Sequence, residues 1–345
     1  MSSPAGTSAH AKTVNLALQG GGAHGAFTWG VLDFLLEDGR LAFDGLSGTS
    51  AGAMNAALTV QGLLEGGAAA ARARLAAFWG RIAEAFACSA LNPNPIERFL
   101  FGHDLTFTAG YLALDALTRT LAPAQFNPLD INPLRDILED LIDLETLHGC
   151  TRYRLFVSAT NVRTGRNRVF TEKEVTVAAL LASACLPHLY RAVEIDGAAY
   201  WDGGYMGNPA LWPMFHRCTA PDIVVVEINP IHRPDVPDTA PEIINRINEI
   251  SFNTSLMAEM RAIAFVQRLL DQGAVDPARY KRLFVHSIHA EEAMARFNVS
   301  TKFNGDAGFL AELKALGRAA ARQWLAASFD RIGRESSVDL RARYL

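Results

Sequence analysis

Paired cysteines, long apolar runs and an excess of positive charge are all missing from this 345-residue chain, and lysine is scarce at five residues. Asp and Glu number 36 against 32 Lys and Arg, a net charge of −4. That balance leaves no electrostatic footprint for a nucleic acid, so no nucleic-acid partner is expected. The preference for arginine fits a compositional bias better than a surface built for anionic head groups. The four cysteines, Cys88, Cys150, Cys185 and Cys218, stand far apart with no C-x-x-C pair. This excludes the usual zinc spacings and a disulfide framework, and the four read as reduced, buried thiols of a cytoplasmic protein. No run of about 18 apolar residues is present to cross a bilayer. Residues 1–12 lack the charged-then-apolar order of a secretory signal and are expected to form a disordered tail. Contact with lipid is therefore expected at the surface, peripheral to a membrane.

What is present is an ordinary globular composition, 50% hydrophobic and 20% charged, able to bury a sizeable core. There are no repeats and no clear linker. Val14 to Leu18 alternates and then meets Gly20-Gly21-Gly22, which predicts a short buried strand. Phe27, Val31, Leu32, Phe34 and Leu35 recur at helical spacing up to Asp38-Gly39. Leu41 to Leu46 supplies a second strand, followed by another helix, so the opening predicts a βαβα unit with a parallel sheet. Ala68 to Ala87 is an Ala-rich helix with Leu75, Phe78, Trp79, Ile82 and Phe86 on one side. From Cys88 to Asn132, Asn-Pro steps separate Phe99, Leu100, Phe101, Phe107, Tyr111 and Leu112. That segment predicts a helical insertion, either the wall or lid of an apolar pocket or a subdomain core of its own. Further on, Ile223 to Ile228 has the β-branched run of a central parallel strand. Ile243 to Leu270 and Phe309 to Phe329 are long helices flanking a last strand at Arg282 to Ile288. The expected division is a first part over 13–230, with its insertion at about 88–132, and a helix–strand–helix part over 231–345 packed on the same domain.

Three short motifs carry chemistry. Gly48-Thr49-Ser50-Ala51-Gly52 spells G-x-S-x-G, a nucleophile elbow that raises a serine hydroxyl between a strand and a helix. Gly48 and Gly52 keep the crossing clear of side chains, and Ser50 sits at the positive end of the helix dipole. Gly20-Gly21-Gly22-Ala23-His24-Gly25 also fits G-x-G-x-x-G, with Asp44 roughly where a ribose-binding acid belongs. One reading is therefore a dinucleotide site of an oxidoreductase. The other is a loop whose backbone N–H groups cradle an oxyanion, which a neighbouring G-x-S-x-G requires and a nucleotide site does not. Asp202-Gly203-Gly204 closes a strand through Tyr200 and Trp201. Alone it is a plain β-turn; it becomes a general base only if the fold carries it to Ser50.

Together, in this order, the three motifs and the stretch Ser183-Ala184-Cys185-Leu186-Pro187 resemble the patatin-like phospholipases over about residues 13 to 230. The resemblance implies a three-layer α/β/α fold with a mostly parallel central sheet and a helical insertion. It implies a serine lipid acyl hydrolase with a Ser50–Asp202 dyad, an oxyanion hole from Gly20, Gly21 and Gly22, and support from His24, Gly25, Gly48, Gly52, Gly203 and Gly204. It implies a phospholipid or other acyl-lipid substrate and no cofactor; an esterase acting on storage lipid or polyester in place of membrane phospholipid is a further alternative. Many members carry Arg or Lys where this chain has His24, which would be only partly cationic at neutral pH. A protein that keeps the fold but only binds lipid is the other alternative. His216, His232, His286 and His289 follow Asp202, so chain order leaves a Ser-Asp-His triad open, and His188 beside Pro187 reads as a wall residue. His286 and His289 with Glu291 and Glu292 could form a metal site but read rather as a solvated surface, and no metal is expected.

Overall fold

The computed structural model describes residues 11–345. The first ten residues of the expected tail lie outside the described residues. Lys12 does not belong to a tail: it opens the first strand, and its Nζ donates to the carbonyls of Phe329 and Ile332 at 2.7 and 2.9 Å.

The chain runs β1 (Lys12–Leu18), α1 (Gly25–Asp38), β2 (Leu41–Thr49) and α2 (Ala51–Ala87). Next come α3 (Pro95–Phe101), α4 (Ala109–Thr120), α5 (Pro123–Phe126), α6 (Pro133–Leu141) and α7 (Leu144–His148). The middle holds β3 (Arg154–Asn161), β4 (Asn167–Thr171), α8 (Val177–Ser183), β5 (Val193–Ile195), β6 (Ala198–Asp202), α9 (Trp212–Arg217) and β7 (Asp222–Val226). The chain closes with α10 (Ala240–Asp271), β8 (Phe284–Ile288), α11 (Glu291–Met294), α12 (Ala307–Ser328) and α13 (Leu340–Tyr344). The strands form one sheet in the order β5-β6-β3-β2-β1-β7-β8, with β4 also paired to β3. The β1, β2, β3, β7 and β8 pairings are parallel; those of β4, β5 and β6 are antiparallel.

Helices cover both faces, which is why the central strands are apolar on both sides. Val14, Leu16 and Leu18 of β1 and Val224 and Val226 of β7 point into a core with Phe27, Leu32, Leu58 and Leu313. Their alternates, Ala17, Ile223 and Val225, point into a second core with Met214, Leu256, Met260 and Tyr344. Each fully buried Leu, Val or Ile contributes roughly 1.5–3 kcal/mol, so the two layers clamp the sheet. The result is a three-layer α/β/α fold with a central, mostly parallel sheet. The helix after the elbow is broken at Gly66 and Gly67, the latter at φ 72°, where the second, Ala-rich half begins.

The insertion is helical but buries little: α3, α4 and α5 contain no buried residue. Phe99, Leu100, Phe107, Leu129 and Ile131 are exposed instead of packed together. The insertion is tied to the segment before α12. Arg98 pairs with Asp306 at 2.7 Å, and the Leu105 N–H donates to Ser300 Oγ at 3.0 Å. Cys150, Cys185 and Cys218 are buried, whereas Cys88, expected among them, is exposed.

Candidate active site

Strand register brings the motifs to one edge of the sheet. Leu18 of β1 lies opposite Gly48 of β2, so the glycine loop and the elbow leave adjacent strands side by side. Thr49 pairs with Ser158 of β3, and Ala159 pairs with Asp202 of β6, so the aspartate arrives two strands from the serine.

Ser50 sits in the turn at φ 53°, ψ −126°, a strained conformation for a residue with a side chain, and it is 8% exposed. Close packing holds it there. A Cβ on Gly48 would lie 2.3 Å from the Gly52 carbonyl oxygen, and one on Gly52 would lie 2.2 Å from that of Leu18. Beneath the elbow, Ser47 Oγ donates to the Ala210 carbonyl at 2.6 Å and Thr49 Oγ1 to that of Gly207 at 2.5 Å. The segment after α8 ties the two candidate residues together. Ser183 Oγ accepts the Ser50 N–H at 2.8 Å, and the Cys185 carbonyl accepts the Asp202 N–H at 2.8 Å.

Asp202 is 1% exposed. Burial pushes its carboxyl up to about 6, opposed by the Gly204 N–H, the Ser50 hydroxyl and the charge of Lys302. The Gly204 N–H donates to Oδ1 at 2.7 Å from the 3-10 turn Gly203–Tyr205. Ser50 and Asp202 line one cavity of about 490 Å3.

In the glycine loop, Gly22 takes φ 58° and lies so near the Lys302 carbonyl that a Cβ would come within 2.3 Å of it. Among the described residues, the N–H groups of Gly21, Gly22 and Ala51 donate to no acceptor, and all three residues line the cavity. Gly20 differs from expectation: its N–H donates to Asn208 Oδ1 at 2.6 Å, so it has no donor left for an oxyanion. Its carbonyl accepts from Asn229 Nδ2 at 3.0 Å. Gly25 opens α1, and its carbonyl accepts from Asn55 Nδ2 at 3.0 Å.

His24 is not partly cationic. It is buried between Phe297 and Phe309, and desolvation followed by the charge of Lys302 lowers its pKa to about 3. Its Nε2 lies 2.7 Å from Thr301 Oγ1, so it joins the loop to the C-terminal part as a neutral ring. Asp44 is nowhere near a ribose site at the loop. Its Oδ2 accepts from the Thr219 hydroxyl at 2.7 Å and the Ala220 N–H at 2.8 Å, which overturns the dinucleotide reading. Of the histidines considered, only His188 lines the cavity among the described residues; His216, His232, His286 and His289 do not. His286 is no surface residue: it is fully buried, 2.9 Å from both Asp222 Oδ1 and Ser337 Oγ.

Sequence reasoning missed Ser183 as a holder of the elbow, the Ala51 N–H, and the whole contribution from beyond residue 230. Asn248 and Phe252 of α10 and Lys302 line the cavity with the motif residues. Met54, Phe78, Trp79, Ile82 and Phe86 of α2 line it too, with Tyr111, Leu114 and Thr118 of α4. The chemical inventory is a strained serine hydroxyl, a buried carboxyl of raised basicity, unpaired backbone donors and a largely apolar chamber.

No helix among the described residues is long and apolar enough to cross a membrane. No curated protein matches the chain. Among solved structures it is similar to VipD from Legionella pneumophila, with 15% identity over 92% of this chain and 67% of that one, at a TM-score of 0.39. The family model for patatin-like phospholipase matches residues 16–214, which include the glycine loop, the elbow and the aspartate turn. With more than half its length matched, the chain belongs to the patatin-like phospholipase family.

Proposed function

We propose that the protein is a serine lipid acyl hydrolase working through Ser50 and Asp202. The observation that carries this reading is the convergence of both side chains on one cavity beside unpaired backbone donors. Asp202 takes the proton of Ser50 as Oγ attacks the ester carbonyl. The Gly21, Gly22 and Ala51 N–H groups receive the developing oxyanion; each such donor is typically worth about 100- to 1,000-fold in rate. Asp202 returns the proton to the departing alcohol, and water then cleaves the acyl-serine with the same carboxylate as base. The carboxylate is a stronger base than a solvated one because it is buried. The acyl chain lies along Met54, Phe78, Trp79 and Leu114. The exposed Phe99, Leu100, Leu129 and Ile131 of the insertion meet the lipid surface from which substrate is taken.

Mass-spectrometric profiling of products from a mixed lipid extract tests this reading. Wild-type protein is expected to release fatty acid and Ser50→Ala none; equal release by the two proteins overturns it, and release by neither leaves a lipid-binding protein.

A further inference from the structure

Lys302 lies outside the residues matched by the family model and outside every motif of the sequence. Yet it is the one Lys or Arg among the described residues that line the cavity. Its Nζ donates to Asn248 Oδ1 at 2.6 Å and to Asn229 Oδ1 at 2.9 Å, and lies 5.0 Å from the centre of the Phe252 ring. An ammonium group has three donors, so two amides orient it and leave one N–H to spare. Neutral amides do not cancel its charge. Two acids reach it through their fields: Glu249, which is spent on Arg233 and Arg246, and Asp202, the base of the dyad. His24, buried and neutral, supplies no second cation. The placement is fixed relative to the glycine loop, because the Asn229 amide that receives the lysine also donates to the Gly20 carbonyl.

An anion entering a chamber walled by Phe78, Trp79 and Leu114 loses its hydration and needs a cation inside. We propose that Lys302 is a phosphate anchor: its remaining N–H and its charge hold the phosphate of an acyl glycerophosphate whose ester carbonyl faces Ser50. The inference rests on the hydrolase reading of Ser50. It makes the site selective for acyl lipids bearing a phosphate close to the scissile ester over neutral glycerides of the same chain length. Charge-assisted hydrogen bonds to phosphate are about twice as strong as neutral ones, and losing one predicts at least about a ten-fold loss in preference.

The test pairs lauroyl lysophosphatidate with monolauroylglycerol, the same acyl glycerol with and without its phosphate, both kept monomeric. Wild-type protein must cleave lipid and Ser50→Ala must not; failure there removes the hydrolase reading and this inference with it. Given that, the ratio of kcat/KM for the phosphate lipid to that for the neutral lipid is expected to fall at least about ten-fold in Lys302→Met and to recover in Lys302→Arg. Loss of both activities by the same factor, or an unchanged ratio, overturns the anchor while leaving the serine chemistry in place. Binding to the inactive Ser50→Ala protein, read from cavity tryptophan fluorescence, separates anchoring from misfolding. Adding Lys302→Met should weaken the phosphate lipid at least about ten-fold more than the neutral one, and equal weakening counts against the proposal.

Discussion

The carboxyl of Asp202 accepts the N–H of Gly204 at 2.7 Å, yet its pKa still rises to about 6 because burial outweighs that bond. A base must be deprotonated to act. Log kcat/KM on a monomeric ester should therefore climb with unit slope below about pH 6 and level off above it. An inflection near the ordinary carboxyl value of 3.8 would show that the buried group is not the one that titrates.

The same shift has a consequence for stability. The folded pKa of about 6 exceeds the ordinary 3.8, so folding favours the protonated form. Wild-type protein thus loses stability as pH rises between those two values, by on the order of 3 kcal/mol. Asp202→Asn has no such loss. It should be inactive and yet melt higher than wild type at pH 8, with the gap closing as pH falls toward 4. Parallel Tm curves for the two proteins across that window would contradict the burial argument.

Ser183 holds the elbow from outside the elbow motif. Its hydroxyl is the acceptor of the Ser50 N–H, so Ser183→Ala leaves a buried donor unpaired, a cost of about 1–3 kcal/mol. Thermal melting should show that loss, and kcat should fall by about ten-fold or more as the strained turn relaxes. Unchanged kcat would mean that close packing alone positions the serine.

The exposed apolar groups of the insertion should matter only at an interface. Phe99 is 87% and Leu100 63% exposed, so Phe99→Ser with Leu100→Ser removes little buried surface. Hydrolysis of phospholipid in vesicles is expected to drop by about ten-fold, since each exposed aromatic or leucine brings roughly 1 kcal/mol or more to lipid contact. Turnover of a soluble ester should stay near wild type, and equal effects on both substrates would remove the lipid-surface role.

The parts legible in the sequence were those fixed by local sterics and periodicity. Gly48 and Gly52 announce the crossing at Ser50 because no other residue fits. The apolar strands announce a sheet covered on both faces. What stayed hidden depends on long-range burial. The charge of His24 is decided by Phe297 and Phe309, nearly the whole chain away. The Gly20 N–H is consumed by Asn208, and Asp44 by Thr219 and Ala220, pairings that no spacing rule encodes. Lys302 stands in a 3-10 turn with no motif around it, and only the packing of that turn against Gly22 brings it to the cavity.

The most direct measurement is the rate and site of labelling by a fluorophosphonate, followed by peptide mapping. Wild-type protein should carry one adduct on Ser50, and Asp202→Asn should label at least about 100-fold more slowly, the usual loss for a general base. An adduct on another residue, or Asp202→Asn labelling at the wild-type rate, would contradict the Ser50–Asp202 account.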